Sequence, residues 1–139
     1  MEPNRQLREF VKRLENRTLE FAVSIIRLSS VLPNTAEGKV VKAQLTKCGT
    51  SIGANYREAN RSRSKSDFQN KISICETEAS ETQYWIELIR ETKWLPWDRL
   101  AVDHKECSEL LAISPPLGKT NRAPSPSSYG SREVCSFVV

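Results

Sequence analysis

The heptad spacing of apolar residues between 68 and 89 constrains this chain most. Phe68, Ile72, Cys75, Ala79, Thr82, Ile86 and Ile89 step by 4, 3, 4, 3, 4 and 3. That period lines one face of an α-helix; a strand would alternate every second residue. A stripe this regular packs against other helices at a shallow angle, so the chain must supply helical partners. The spacing predicts a helix from Asp67 to about Trp94, with Ser66 or Asp67 as its cap. Tyr84, Trp85 and Leu88 add a second apolar flank. A helix apolar on two sides is either central in a bundle or packs against another chain.

Three further segments qualify as partners. Leu7, Phe10, Leu14, Phe21, Ile25, Leu28 and Leu32 follow helical spacing from about Asn4 to Leu32, and Val11, Ala22 and Ile26 widen the stripe. Pro33 stops that helix, and Thr35 is placed to cap a second one over about Ala36 to Ala59. Its apolar side comprises Val40, Val41, Ala43, Leu45, Cys48, Ile52, Ala54 and Tyr56. A shorter fourth helix is expected from about Arg99 to Ala112, capped by Asp98 and ended by Ser114-Pro115-Pro116. The fold class expected is therefore all-α, an antiparallel up-down-up-down four-helix bundle over residues 1–113. From Ser114 to Gly130, 10 of 17 residues are Pro, Ser or Gly, so residues 114–139 read as a flexible tail.

Composition removes several chemistries. His104 is the sole histidine, which excludes mechanisms needing two imidazoles. The four cysteines lie 27, 32 and 28 residues apart, so no CxxC pair exists for zinc or thioredoxin-type chemistry. Cys48, Cys75 and Cys107 fall on apolar stripes and read as buried, inert thiols, with Cys135 in the tail. Arg5, Arg8, Lys12 and Arg13 interrupt any N-terminal apolar run, so neither a signal peptide nor a membrane span is expected. Reduced thiols and a cytoplasmic location follow as expectations.

The net charge of +4 hides a gradient. Residues 1–67 carry +6, residues 68–111 carry −4 and residues 112–139 carry +2. Arg57 to Lys65 is the densest basic stretch, falling where helices two and three connect. Arg57, Arg61, Arg63 and Lys65 are candidates for contact with nucleic-acid phosphates, as are Arg5, Arg8, Lys12 and Arg13. A solvated helix surface is the competing reading.

The centre of the second helix, Gly49-Thr50-Ser51-Ile52-Gly53-Ala54-Asn55, is small at nearly every position. Two helical glycines cost about 1 kcal/mol each relative to alanine, which a close helix approach offsets. The expectation is a groove at Gly49 and Gly53 that admits the third helix's aromatics, with Asn55 as an amide fixing register; the competing reading is a backbone-exposing binding surface with Asn55 as a ligand contact. No GxxxxGK[ST] or GxGxxG supports a phosphate loop. Glu78 and Glu81 lie three apart. A di-iron bundle needs Glu-x-x-His on two helices, so neither a metal nor a cofactor is expected. Arg57, Glu58, Asp67, Glu78 and Glu81 read as a structural ion-pair network, within the chain or between chains. No catalytic residue is assigned.

The runs Thr50-Ser-Ile-Gly-Ala-Asn-Tyr-Arg-Glu-Ala, Ser66-Asp67-Phe68, Lys71-Ile-Ser-Ile and Glu78-Ala79-Ser-Glu81-Thr82-Gln-Tyr84-Trp85 go further. Together with Arg17, Phe21-Ala22, Leu32-Pro33 and Gln44-Leu45, they closely resemble the bacterial four-helix-bundle proteins encoded within intervening sequences of 23S rRNA genes, the S23 family. Gly49, Ser51, Gly53, Asn55, Asp67, Phe68, Glu78 and Glu81 are its structural motif positions here. Thr77 departs from the pattern, standing where many relatives carry lysine. The resemblance implies a bundle without enzymatic activity that forms ring-like homo-oligomers, commonly pentamers. It also implies kinship with the accessory variability proteins of diversity-generating retroelements, which bind nucleic acid and a reverse transcriptase. RNA or DNA, a reverse transcriptase and further copies of the chain are thus the expected partners. The alternative is an interaction scaffold without nucleic acid.

Overall fold

The computed structural model describes residues 3–118, which form four helices in chain order. These are α1 (Pro3–Ser30), α2 (Ala36–Asn60), α3 (Lys65–Glu91) and α4 (Trp97–Gly118). Each short connection reverses the chain, and the helices surround one apolar core. α2 and α3 pack extensively against their neighbours, while α1 meets α4 more sparingly.

The connections follow local chemistry. Thr35 caps α2, its hydroxyl accepting the Gly38 N–H at 3.0 Å. Gly38 itself is required, because a Cβ there would stand 1.9 Å from the Pro33 carbonyl oxygen. α3 begins two residues earlier than expected, since Ser64 takes the cap and accepts the Asp67 N–H at 3.0 Å. Its far end closes with the Lys93 N–H on the Arg90 carbonyl and the Trp94 N–H on the Ile89 carbonyl. This pattern needs a left-handed residue, and Lys93 supplies it at φ 59°. Trp94 and Leu95 then pack against the core and hold the turn.

The heptad stripe of α3 is buried as expected from Ile72 to Ile89, with Phe68 half-buried at its start. On α1, Leu14, Phe21, Ile25, Leu28 and Leu32 enter the core. Leu7 and Phe10 do not; they are 60% and 38% exposed, because α1 begins beyond the end of α2. Ile26 and Val40, both counted as apolar-face residues from spacing, are also exposed.

α4 differs most from expectation. It does not end at Ser114-Pro115-Pro116 but continues to Gly118. Ser114 is buried and donates its hydroxyl to the Leu110 carbonyl at 3.0 Å. Ile113 and Leu117 pack against the core from the same face. That burial offsets the loss of proline N–H groups in the final turns. Residues 114–118, placed in the tail by composition, are thus helical. The rest of the expected tail, including Cys135, lies outside the described residues.

The glycine pair does bring helices close, but against a different partner. Gly49 faces Ile25 and Gly53 faces Thr18, both on α1, and not the aromatics of α3. A Cβ at Gly49 would lie 2.6 Å from the Ile25 Cγ2, and one at Gly53 would lie 3.1 Å from the Thr18 Oγ1. Overpacking of this kind costs about 1–3 kcal/mol. Gly49→Ala is therefore expected to lower the melting temperature by several degrees, and Gly53→Ala by less. Equal melting of both variants and the parent in a circular-dichroism scan would remove this account.

Candidate nucleic-acid interface

The two basic groups, some fifty residues apart in sequence, come to one end of the bundle. α1 starts at that end, α2 finishes there and α3 departs from it. Glu15 accepts a hydrogen bond from the Asn60 amide at 2.9 Å, which places Glu15 level with the last residue of α2. The 12 residues Pro3–Leu14 run on past this point, about 18 Å of helix at 1.5 Å per residue.

Arg57, Arg61, Arg63 and Lys65 are all exposed around the α2–α3 turn. Arg61 is the C-cap of α2, its N–H serves the Glu58 and Ala59 carbonyls, and the residue is exposed. On the projecting part of α1, Arg5 pairs with Glu9 at 3.2 Å, and the Arg8 Nε donates to the Asn4 side chain at 3.4 Å. Lys12, Arg13, Arg57, Arg61 and Arg63 have no ion pair or hydrogen bond from their side chains among the described residues. Of the acids nearby, Glu9 pairs with Arg5 and Glu58 with Lys71 at 2.7 Å, Glu15 accepts from the neutral Asn60 amide, and Asp67 is exposed. The Glu58 carboxylate in turn raises the Lys71 pKa. Cations outnumber acids at this end, which therefore presents a surplus of positive charge to solvent.

The expected ion-pair network exists only in part. Glu58–Lys71 links α2 to α3, but Arg57 stays unpaired among the described residues and Asp67 contributes through its backbone N–H alone. Asn55 does not fix register between helices, because its amide donates to the Ser51 carbonyl within α2 at 2.9 Å. Ser51 likewise donates within α2, to the Lys47 carbonyl at 2.6 Å. Glu81 accepts from the Trp85 Nε1 at 3.2 Å. Burial holds the Glu78 carboxyl above the ordinary carboxylate range, Glu81 adds to the rise and Lys47 opposes it.

Chemistry of other kinds finds little to work with. No three His, Cys, Asp or Glu side chains among the described residues group so as to hold a metal ion. Burial pushes the thiols of Cys48 up to about 11 and of Cys75 and Cys107 up to about 12, so they stay protonated at neutral pH. A gap of about 10 Å³ among Leu14, Tyr56, Ile72, Ile113 and Leu117 has room for no more than a water. Among the described residues no helix is long and apolar enough to cross a membrane.

Residues without a spacing signal close the α1–α4 seam. The Arg17 guanidinium straddles Glu106 at 2.9 and 3.0 Å and also reaches Glu109. Its pKa rises, chiefly through the hydrogen bond to Glu106. Buried Asp103 accepts the Ser24 hydroxyl and is held above the usual carboxylate range by that burial. Opposite charges 89 residues apart in sequence announce nothing until the fold pairs them.

A four-helix bundle with a basic end places the chain among small helical-bundle proteins. Among these, the model of the family described as 23S rRNA-intervening sequence protein matches residues 13–114, and the chain belongs to that family. A protein of unknown function from the S23 ribosomal protein family of Bacteroides thetaiotaomicron VPI-5482 has a similar crystal structure. It is 37% identical, with a TM-score of 0.68 over 72% of this chain and 93% of that one. No protein of curated function matches the chain.

The Glu78 shift has a measurable sign. A raised carboxyl is one whose ionised form the fold disfavours, so its contribution favours the folded state at acid pH. That contribution is lost as pH climbs through the ordinary carboxylate range to the folded value. Glu78→Gln should therefore melt above the parent at neutral pH and alongside it at acid pH. A variant that melts no higher at neutral pH counts against the assignment.

Proposed function

We propose that this chain is a non-enzymatic protein that assembles with copies of itself and binds RNA or DNA through its basic end. The observation that carries the reading is the convergence of Lys12, Arg13, Arg57, Arg61 and Arg63 at that end, where none of these five side chains has an ion pair among the described residues. Unpaired exposed cations attract phosphates and release counterions on binding, which gives affinity with little sequence preference. In a ring, commonly a pentamer by the family resemblance, each cation recurs in every copy, and weak contacts act together. The family's description makes structured ribosomal RNA the first ligand to try. A reverse transcriptase partner is proposed on the resemblance alone.

The scaffold reading has its own support, since α3 carries six Asp and Glu against three Lys and Arg and could receive basic residues from another copy. Binding of a 23S rRNA fragment, followed by fluorescence anisotropy over a salt series, separates the two. The triple substitution Arg57→Ala, Arg61→Ala, Arg63→Ala should weaken binding at least tenfold. It should also flatten the plot of log affinity against log salt, by about 0.9 for each duplex phosphate no longer neutralised. If the parent protein fails to retain RNA or DNA at low salt, the nucleic-acid reading is wrong.

A further inference from the structure

The charge of α1 changes where the helix leaves the bundle. Residues 3–14, the part that runs on past α2, carry four Lys and Arg against one acid, whereas residues 15–30 carry two of each. No residue from Asn4 to Phe10 is buried or half-buried. This arm is two-sided. Arg5, Arg8 and Lys12 step by 3 and 4 along one face, and Leu7, Phe10 and Leu14 take the same steps along the opposite one. Exposure along the second row rises from 6% at Leu14 through 38% at Phe10 to 60% at Leu7. The core stripe of α1 therefore runs out into solvent behind a row of cations. A free helix this short would be marginal in water, but the arm continues a packed helix, so its nucleus is already formed. Arg5 with Glu9 and Arg8 with Asn4 add side-chain contacts one turn apart.

We infer that the arm is a groove-entering helix and that the ligand of the basic end is double-stranded DNA. This rests on the nucleic-acid reading above and names its substrate class. An α-helix about 10–12 Å across fits the B-form major groove, which is about 12 Å wide. The A-form major groove of duplex RNA is too narrow for side chains to read. A single strand calls for aromatic rings on which successive bases stack. At this end Phe10 is the one exposed ring among the described residues, since Tyr56 is buried and Phe68 half-buried. The arm's length of about 18 Å spans about half a turn of duplex, or about five base pairs. Within the groove the cation row meets phosphates, while Leu7 and Phe10 leave water for base edges, where thymine methyls offer apolar contact. Arg57, Arg61 and Arg63, exposed at the bundle end below the arm, add contacts to the backbone. Basic segments continuous with a bundle helix enter the major groove in the same way in other folds.

Fluorescence anisotropy of the full chain with one sequence prepared as DNA duplex, RNA duplex and single-stranded DNA tests this. The parent should bind the DNA duplex at least tenfold tighter than either alternative at the same salt. Val11→Pro keeps every charge and both exposed apolar residues but interrupts the arm's helix. It should erase the preference, with circular dichroism confirming that the bundle still melts cooperatively. Val11 is half-buried, so a second variant guards against loss of the fold. The triple substitution Arg5→Ala, Arg8→Ala, Lys12→Ala, all at exposed positions, should weaken DNA-duplex binding at least tenfold and bring the DNA-to-RNA ratio towards one. A parent that holds duplex RNA or the single strand as tightly as duplex DNA overturns the inference and leaves the nucleic-acid reading standing. A preference that survives both variants overturns it too. A parent that binds none of the three at low salt removes the nucleic-acid reading itself, and this inference with it.

Discussion

The approach of α1 to α2 at Gly49 and Gly53 is the constraint on which the rest of the bundle depends. It lets Ile25 and Thr18 reach the α2 backbone, so both sit fully inside the core. It also fixes the axial register of α1, which the Glu15–Asn60 hydrogen bond repeats further along. With that register set, α1 overshoots α2 by about three turns, and its basic N-terminal segment joins the arginines of the α2–α3 turn. The glycine spacing and the basic end are thus one geometric fact.

The seam between α1 and α4 is built differently. Its long-range contacts include Arg17 with Glu106 and Glu109, and Ser24 with Asp103. Polar seams of this sort depend on each group having its partner, since a buried carboxylate left alone is costly. The apolar closure at this end comes from Ile113 and Leu117 in the last turns of α4. A helix continuing through two prolines is explained by what those turns bury.

Much of the fold was legible from spacing alone. The four helices, the Thr35 cap and the α3 core stripe are short-range properties, and period and capping chemistry report them directly. The misreadings share a cause. Leu7 and Phe10 continue the core stripe of α1 yet stand outside, because spacing says which face is apolar and not how far a neighbour extends. Gly49 and Gly53 signalled a close approach without naming α1 as the helix that makes it. Asn55 looked like a register amide because its residue type permits that role; in the structure its carbonyl partner lies one turn back. Of the basic candidates, exposure was readable from their polarity, whereas their meeting at one end was not.

By itself the sequence determined the helical class, the punctuation of the chain, the exclusion of mechanisms that need two imidazoles and the opposite charge of α1 and α3. Those are properties of residues within a few positions of one another, or of composition. Only the tertiary structure decided that the two basic groups share an end, that Arg17 belongs to α4's acids, and that Leu19, Val23 and Ile26 of α1 are left exposed. Each of those depends on axial offsets between helices, set by packing contacts between residues far apart in the chain, and no periodicity carries that distance.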